Sequence, residues 1–205
     1  DEGLALYFGL MTFVYDPSYH IQVRPNIKKV KVLIWDLDNT LWNGILIEDG
    51  PDKLSLKEGV REVIKTLDSR GIVNSVASKN NEIDALALLE HFNLRSYFVF
   101  PMISWNPKSD AVRKITALFN VGEDTIAFID DQKFEREEVI SGNPKVRVYT
   151  HDEAETLLNR EEFNVPATEE SGKRRYFYQN EEIRHEALEQ SEGDYIAFLK
   201  QSNIR

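Results

Sequence analysis

From residue 31 to about residue 158, short apolar runs alternate with stretches whose apolar residues recur at helical spacing. That alternation is the pattern of βα units, which bury a parallel sheet between two layers of helices. The runs KVLIW (31–35), IVNSVAS (72–78), YFVF (97–100), TIAFID (125–130) and VRVY (146–149) read as strands. Between them, Val60, Val63, Ile64 and Leu67 mark one face of a helix ended by Gly71. Ile83, Leu86, Leu89 and Phe92 mark a second, Val112, Ile115 and Phe119 a third, and QKFEREEVI a fourth. The expected fold is α/β: a Rossmann-like parallel sheet flanked by helices.

Three segments are expected. Residues 1–30 form an N-terminal extension, a strand pair and a linker. Residues 31–158 form the catalytic core. Residues 159–205, strongly charged, form a helical appendage of two helices, KRRYFYQNEEIRHEALEQ and GDYIAFLKQS, whose aromatics pack on the core. The chain opens on Asp1 and reads as a piece of a larger polypeptide.

Composition narrows the chemistry. With 205 residues and 41% hydrophobic content, one sizeable core can be buried. No stretch approaches the roughly 20 apolar residues of a membrane span, and no signal peptide pattern stands at the N-terminus, so a cytoplasmic location is expected. The formal charge of -10 argues against a nucleic-acid surface, which needs a basic field. The absence of cysteine excludes disulfides, thiolate metal sites and a cysteine nucleophile within this chain.

In an open parallel sheet, ligands bind beyond the carboxyl ends of the strands, where the strand-to-helix loops gather. Asp36 and Asp38 leave the first strand there, Ser78 leaves the second, and Asp130 and Asp131 leave the fourth. A lone Asp after a strand is ordinarily a solvated helix cap. Four carboxylates converging with a hydroxyl ask for a divalent cation, and hard oxygen ligands suit Mg²⁺. In an Asp-x-Asp pair the first carboxylate can attack and bind metal while the second reaches the leaving group as general acid, then base.

The motif DLDNT resembles the first motif of the haloacid dehalogenase superfamily of phosphotransferases. Ser78 in VASKNN resembles its second, Lys108 in WNPKSD its third, and Asp130 with Asp131 in FIDDQKFEREEV its fourth. The resemblance implies Asp36 as nucleophile forming an aspartyl-phosphate and Asp38 as acid/base. It implies Ser78 as hydrogen-bond donor to the phosphoryl oxygens and Lys108 as their counter-charge. Mg²⁺ would be held by Asp36, the Asp38 carbonyl and Asp130, with Asp131 assisting through water. Thr40, Lys79, Asn80, Asn81 and Arg136 stand in or beside these motifs and are candidates for binding substrate phosphate or hydroxyl oxygens. For Arg136 the competing expectation is an ion pair with neighbouring Glu residues.

About 39 residues separate Asp38 from Ser78, and about 29 separate Ser78 from Lys108, so neither gap holds a large cap domain. The site is expected to be open. The flanks DLDNTLWNG, SKNN, WNPKSD and FIDDQKFERE, followed by an Arg- and Tyr-rich helix, resemble the FkbH-like glyceryltransferase/phosphatase family of polyketide assembly lines. That likeness, over roughly residues 28–200, implies transfer of a C3 hydroxyacyl (glyceryl) unit from 1,3-bisphosphoglycerate to the phosphopantetheine thiol of an acyl carrier protein, with dephosphorylation. Some members of that family hold the acyl group on a cysteine near the first motif, and this chain has none. Direct attack by the carrier thiol, dephosphorylation alone, or replacement of a native cysteine would each account for this. A related C3 loading (lactyl), or a phosphatase acting on a small phosphomonoester or phosphoprotein, is the alternative. Trp42 and Trp105 are expected either to wall the pocket or to pack in the core, and GKRR (172–175) either to receive the carrier or to be a solvated helix start. None of the four histidines falls in a motif.

Overall fold

The computed structural model describes residues 27–190. Seven strands run Val32–Trp35 (β1), Trp42–Asn43 (β2), Ser55–Leu56 (β3), Val73–Ser78 (β4), Met102–Ile103 (β5), Ile126–Asp130 (β6) and Arg147–Thr150 (β7). Among the described residues six α-helices run Leu46–Asp49 (α1), Val60–Ser69 (α2), Glu82–His91 (α3), Lys108–Phe119 (α4), Lys133–Gly142 (α5) and Glu169–Gln190 (α6). Five strands form one parallel sheet in the order β5-β4-β1-β6-β7, and β2 pairs antiparallel with β3 in a small hairpin. No described helix is long and apolar enough to cross a membrane.

β1 is central, so both of its faces are buried. Leu33 and Trp35 face a cluster built with Val63, Ile64 and Leu67 of α2 and Leu88 and Leu89 of α3. Val32 and Ile34 face a second, with Val112, Ile115 and Phe119 of α4 and Val139 of α5. This is why the strand reads as an unbroken apolar run. The polar residues buried in mid-sheet, Asn74 and Ser75, are satisfied: Asn74 Oδ1 accepts from Trp35 Nε1 at 2.9 Å, and the Ser75 hydroxyl donates to the Phe100 carbonyl at 3.1 Å.

Two sequence expectations need correction. YFVF (97–100) is no strand: Arg95–Tyr97 is a 3₁₀ turn, Phe98 makes one isolated bridge to Asn74, and Phe100 sits at φ 51°. Phe98, Val99 and Phe100 are buried for their bulk while Tyr97 is half-buried, and the strand falls two residues later at Met102–Ile103, in register with Ala77 and Ser78. On α3, Ile83 is 79% exposed, and the buried face is Ala85, Leu88 and Leu89. Of the aromatics on α6, Tyr178 packs edge-on against Phe119 while Tyr176 and Phe177 are exposed. The strand pair expected within 1–30 and the GDYIAFLKQS helix lie outside the described residues.

The chain order places the site. From β1 the chain moves to β4 and β5 on one side, then returns to lay β6 on the other. Trp35 pairs with Ile129, and the Asp36 N–H donates to the Ile129 carbonyl at 3.0 Å, so Asp36 and Asp130 leave adjacent strands side by side. That reversal is where open α/β sheets bind ligands.

Candidate active site

The DLDNT turn is shaped by its backbone. Asn39 adopts φ 54°, and the N–H groups of Thr40, Leu41 and Trp42 all point at the Leu37 carbonyl. Gly44 closes the turn, its N–H donating to Asn39 Oδ1. At φ 99° it packs so tightly that a Cβ would lie 2.5 Å from Leu54 Cδ2. Asp36 and Asp38 thereby take different environments. Asp36 is buried beside the Lys108 ammonium, 2.7 Å away. The Asp38 carboxylate turns the other way: Trp42 Nε1 (2.8 Å) and the Leu46 N–H (3.1 Å) donate to one oxygen, and Asn80 Nδ2 (2.9 Å) to the other.

Lys108 opens α4 and is 3% exposed. It also contacts Asp130 at 2.6 Å and Glu135, whose other oxygen pairs with Lys79 at 2.9 Å. Burial of this much charge shifts its titration. Desolvation pushes the Asp36 carboxyl up, against the pull of Lys108. Burial and then the Asp36 charge push Asp130 up to about 7, and the same causes raise Asp131. Glu135 is desolvated too, but Lys108 and Lys79 hold it below the usual carboxylate range.

Asp36, Asp130 and Asp131 each offer an oxygen, all within 4.8 Å of one another. With Glu135, four carboxylates face two ammonium groups, leaving net negative charge at one edge of the sheet. Hard oxygen donors with this charge fit Mg²⁺. The Asp38 side chain is outside that group, and Asp131 stands in it directly. Thr40 braces the arrangement: its hydroxyl accepts from the Asp131 N–H at 3.0 Å.

The structure thus gathers Asp36, Ser78, Lys108, Asp130 and Asp131, with the Ser78 hydroxyl donating to Asp36. Asn80 serves Asp38, and Lys79 serves Glu135. Arg136 Nη1 donates to the carbonyls of Asp130 and Asp131 (2.8 and 2.7 Å) and so holds the β6–α5 turn. Asn81 caps α3, accepting from the Asp84 N–H. Trp42 is fully buried against Phe92, whereas Trp105 is 62% exposed. In GKRR, Arg174 donates to the Gly71 carbonyl and Arg175 pairs with Asp68, so these two guanidiniums brace α6. Glu135 went unnoticed because KFEREEV reads as a solvated helix face. The available signal is its position one turn into a helix that starts directly after a motif.

Solved structures with a similar fold include phosphatases and haloacid dehalogenase superfamily hydrolases. A structure of the N-terminal part of a Bacteroides fragilis protein, containing a phosphatase domain complexed with Mg, is 32% identical with a TM-score of 0.56. The likeness covers 67% of this chain, which spans 41% of that one. A subfamily IA haloacid dehalogenase hydrolase from Geobacter sulfurreducens, 16% identical, superposes at a TM-score of 0.50 over 66% of this chain and all of its own, and shows the shared fold alone. No family model and no curated protein matches the sequence.

Proposed function

We propose that the domain is a Mg²⁺-dependent phosphohydrolase working through an aspartyl-phosphate on Asp36. The observation that carries this reading is the division of labour in the Asp-x-Asp turn: Asp36 is set against Lys108 among the metal-type carboxylates, while Asp38 is held apart by Trp42, Leu46 and Asn80. An Asp36 oxygen attacks phosphorus as the bond to the leaving oxygen breaks, and Asp38 gives that oxygen its proton. Asp38, now a carboxylate, then takes a proton from the water that attacks the aspartyl-phosphate, releasing inorganic phosphate and restoring Asp36. Lys108 and Ser78 steady the phosphoryl oxygens, and Mg²⁺ bound by Asp36, Asp130 and Asp131 would neutralise their charge. Phosphate release from acetyl phosphate in the presence of Mg²⁺, abolished by EDTA and reduced at least about 1,000-fold by Asp36→Asn, is the expected result. Full activity in Asp36→Asn would refute the assignment.

A finer reading is favoured by the flanking residues around all four motifs: a glyceryl unit from 1,3-bisphosphoglycerate loaded on a carrier-protein thiol with loss of phosphate. Its test is the intact mass of a phosphopantetheinylated carrier protein after incubation with the domain, Mg²⁺ and the donor. A mass gain matching glyceryl that disappears in Asp36→Asn supports it; an unmodified carrier beside released phosphate leaves phosphohydrolysis as the activity.

A further inference from the structure

Beside the catalytic turn lies a cleft of about 650 Å³, within the range of about 300–1,000 Å³ typical of small-molecule sites. One wall is α1 and the turn after it, the other α3. It begins at the residues that hold Asp38, because both Leu46 and Asn80 line it and both donate to that carboxylate. An acid that protonates the departing oxygen must stand on the leaving group's side of phosphorus, so whatever Asp38 releases departs toward this space.

The walls state what fits there. Leu46, Leu54 and Leu88 supply apolar surface, Asn80 and Asn81 neutral polar groups, and the charges are the carboxylates Asp52 and Asp84. No Lys or Arg is among its described lining residues, and His91 is its one basic side chain. The cations near the centre do not line the cleft: Lys108 pairs with Asp36, Asp130 and Glu135, and Lys79 with Glu135.

We infer that the cleft receives the leaving group of the substrate, and that this group is an extended, amphipathic one that is neutral or cationic and bears no second phosphate. The inference rests on the phosphohydrolase reading above, adds the substrate class to it, and stands against the glyceryl-transfer reading, whose donor carries two phosphates. A doubly phosphorylated donor would set its second phosphate against Asp52 and Asp84, with His91 the one basic group among the described lining residues.

Binding can be measured apart from turnover. Calorimetric titration of Asp36→Asn protein with Mg²⁺ is expected to give hexyl phosphate at least about tenfold tighter affinity than methyl phosphate, from burial of the added methylenes. It is expected to give 1,6-hexanediol bisphosphate at least about tenfold weaker affinity than hexyl phosphate. Adding Ala87→Trp, on the cleft wall, should erase the first ratio, and adding Asp52→Lys with Asp84→Lys should erase or invert the second. Equal affinities for the three ligands, including none measurable, or ratios untouched by these substitutions, overturn the inference. Turnover of acetyl phosphate, whose leaving group is too short to fill the cleft, judges the underlying reading separately. Acetyl phosphate hydrolysis beside flat ratios sinks the cleft alone; intact ratios without any hydrolysis sink the phosphohydrolase reading alone.

Discussion

At the scale of single residues, the site is a problem of buried charge. Glu135 shows how it is managed: it pairs with Lys108 and Lys79 at once, and so fixes the ammonium proposed to meet the phosphoryl group. Glu135→Gln removes that anchor without changing side-chain size. The expected effect is a fall in kcat of about 10- to 100-fold with a smaller change in KM, measured on acetyl phosphate; an unchanged kcat would show that Asp36 and Asp130 suffice to place Lys108. Titration gives a second test. Asp130 is raised to about 7 in the folded chain against about 4 unfolded, so between those values the metal-free fold binds more protons than the unfolded chain. Its stability therefore falls as pH rises through that window, and Asp36 and Asp131, also raised, slope the same way. Glu135, lowered, has the opposite sign and contributes stability that is lost on acidification below the unfolded value. In EDTA the melting temperature should be lower at pH 7.5 than at pH 5, Asp130→Asn should shrink the difference, and Mg²⁺ should restore stability at pH 7.5. A metal-free melting temperature that rises with pH would contradict the charge crowding.

Among the elements, α6 shows how the C-terminal part is held. Gly71, at φ 73° after α2, lies so close to α6 that a Cβ would meet the Ser171 Cβ at 2.8 Å and its carbonyl oxygen at 3.0 Å. Gly71→Ala combines backbone strain with displacement of a helix, and should cost about 1–3 kcal/mol in chemical denaturation; a loss below about 0.5 kcal/mol would mean that α6 shifts freely. Which elements were legible from sequence follows from their packing. β1 and β6 are covered on both faces and read as apolar runs, β4 is covered likewise although Asn74 and Ser75 interrupt its apolar residues, and α2 displays its buried face because the opposite face is charged. β5 is two residues long, too short for any period, and the neighbouring YFVF is buried without pairing as a strand. α3 misled because Ile83 is apolar yet exposed. At the site, the motif residues were legible since each terminates a strand or opens a helix. The roles of Arg136 and Glu135 depend on which way a first-turn side chain points, and a charged stretch does not encode that until the sheet edge is present.

For the whole molecule, net charge and openness act together. The hairpin β2–β3 with α1 is the only sizeable insert between the first two motifs, so the anionic substrate proposed above would approach a chain of formal charge -10 with little covering from the described residues. Long-range repulsion should slow encounter at low salt. The expected outcome is a severalfold rise in kcat/KM between about 20 and about 200 mM ionic strength at fixed free Mg²⁺; a fall would reveal a local positive field at the mouth. The reversal of strand order at β1 has a consequence in time as well as space. Asp36, the proposed nucleophile, precedes β4, whereas Asp130 arrives only when β6 inserts along the opposite edge of β1, after a sequence separation that spans most of the core. Such distant pairing is slow to form. A chain being synthesised would carry the whole first motif, and even a paired β1 and β4, while remaining chemically inert until Ile126–Asp130 has docked; recovery of activity on refolding is therefore a clock for the last central strand to join.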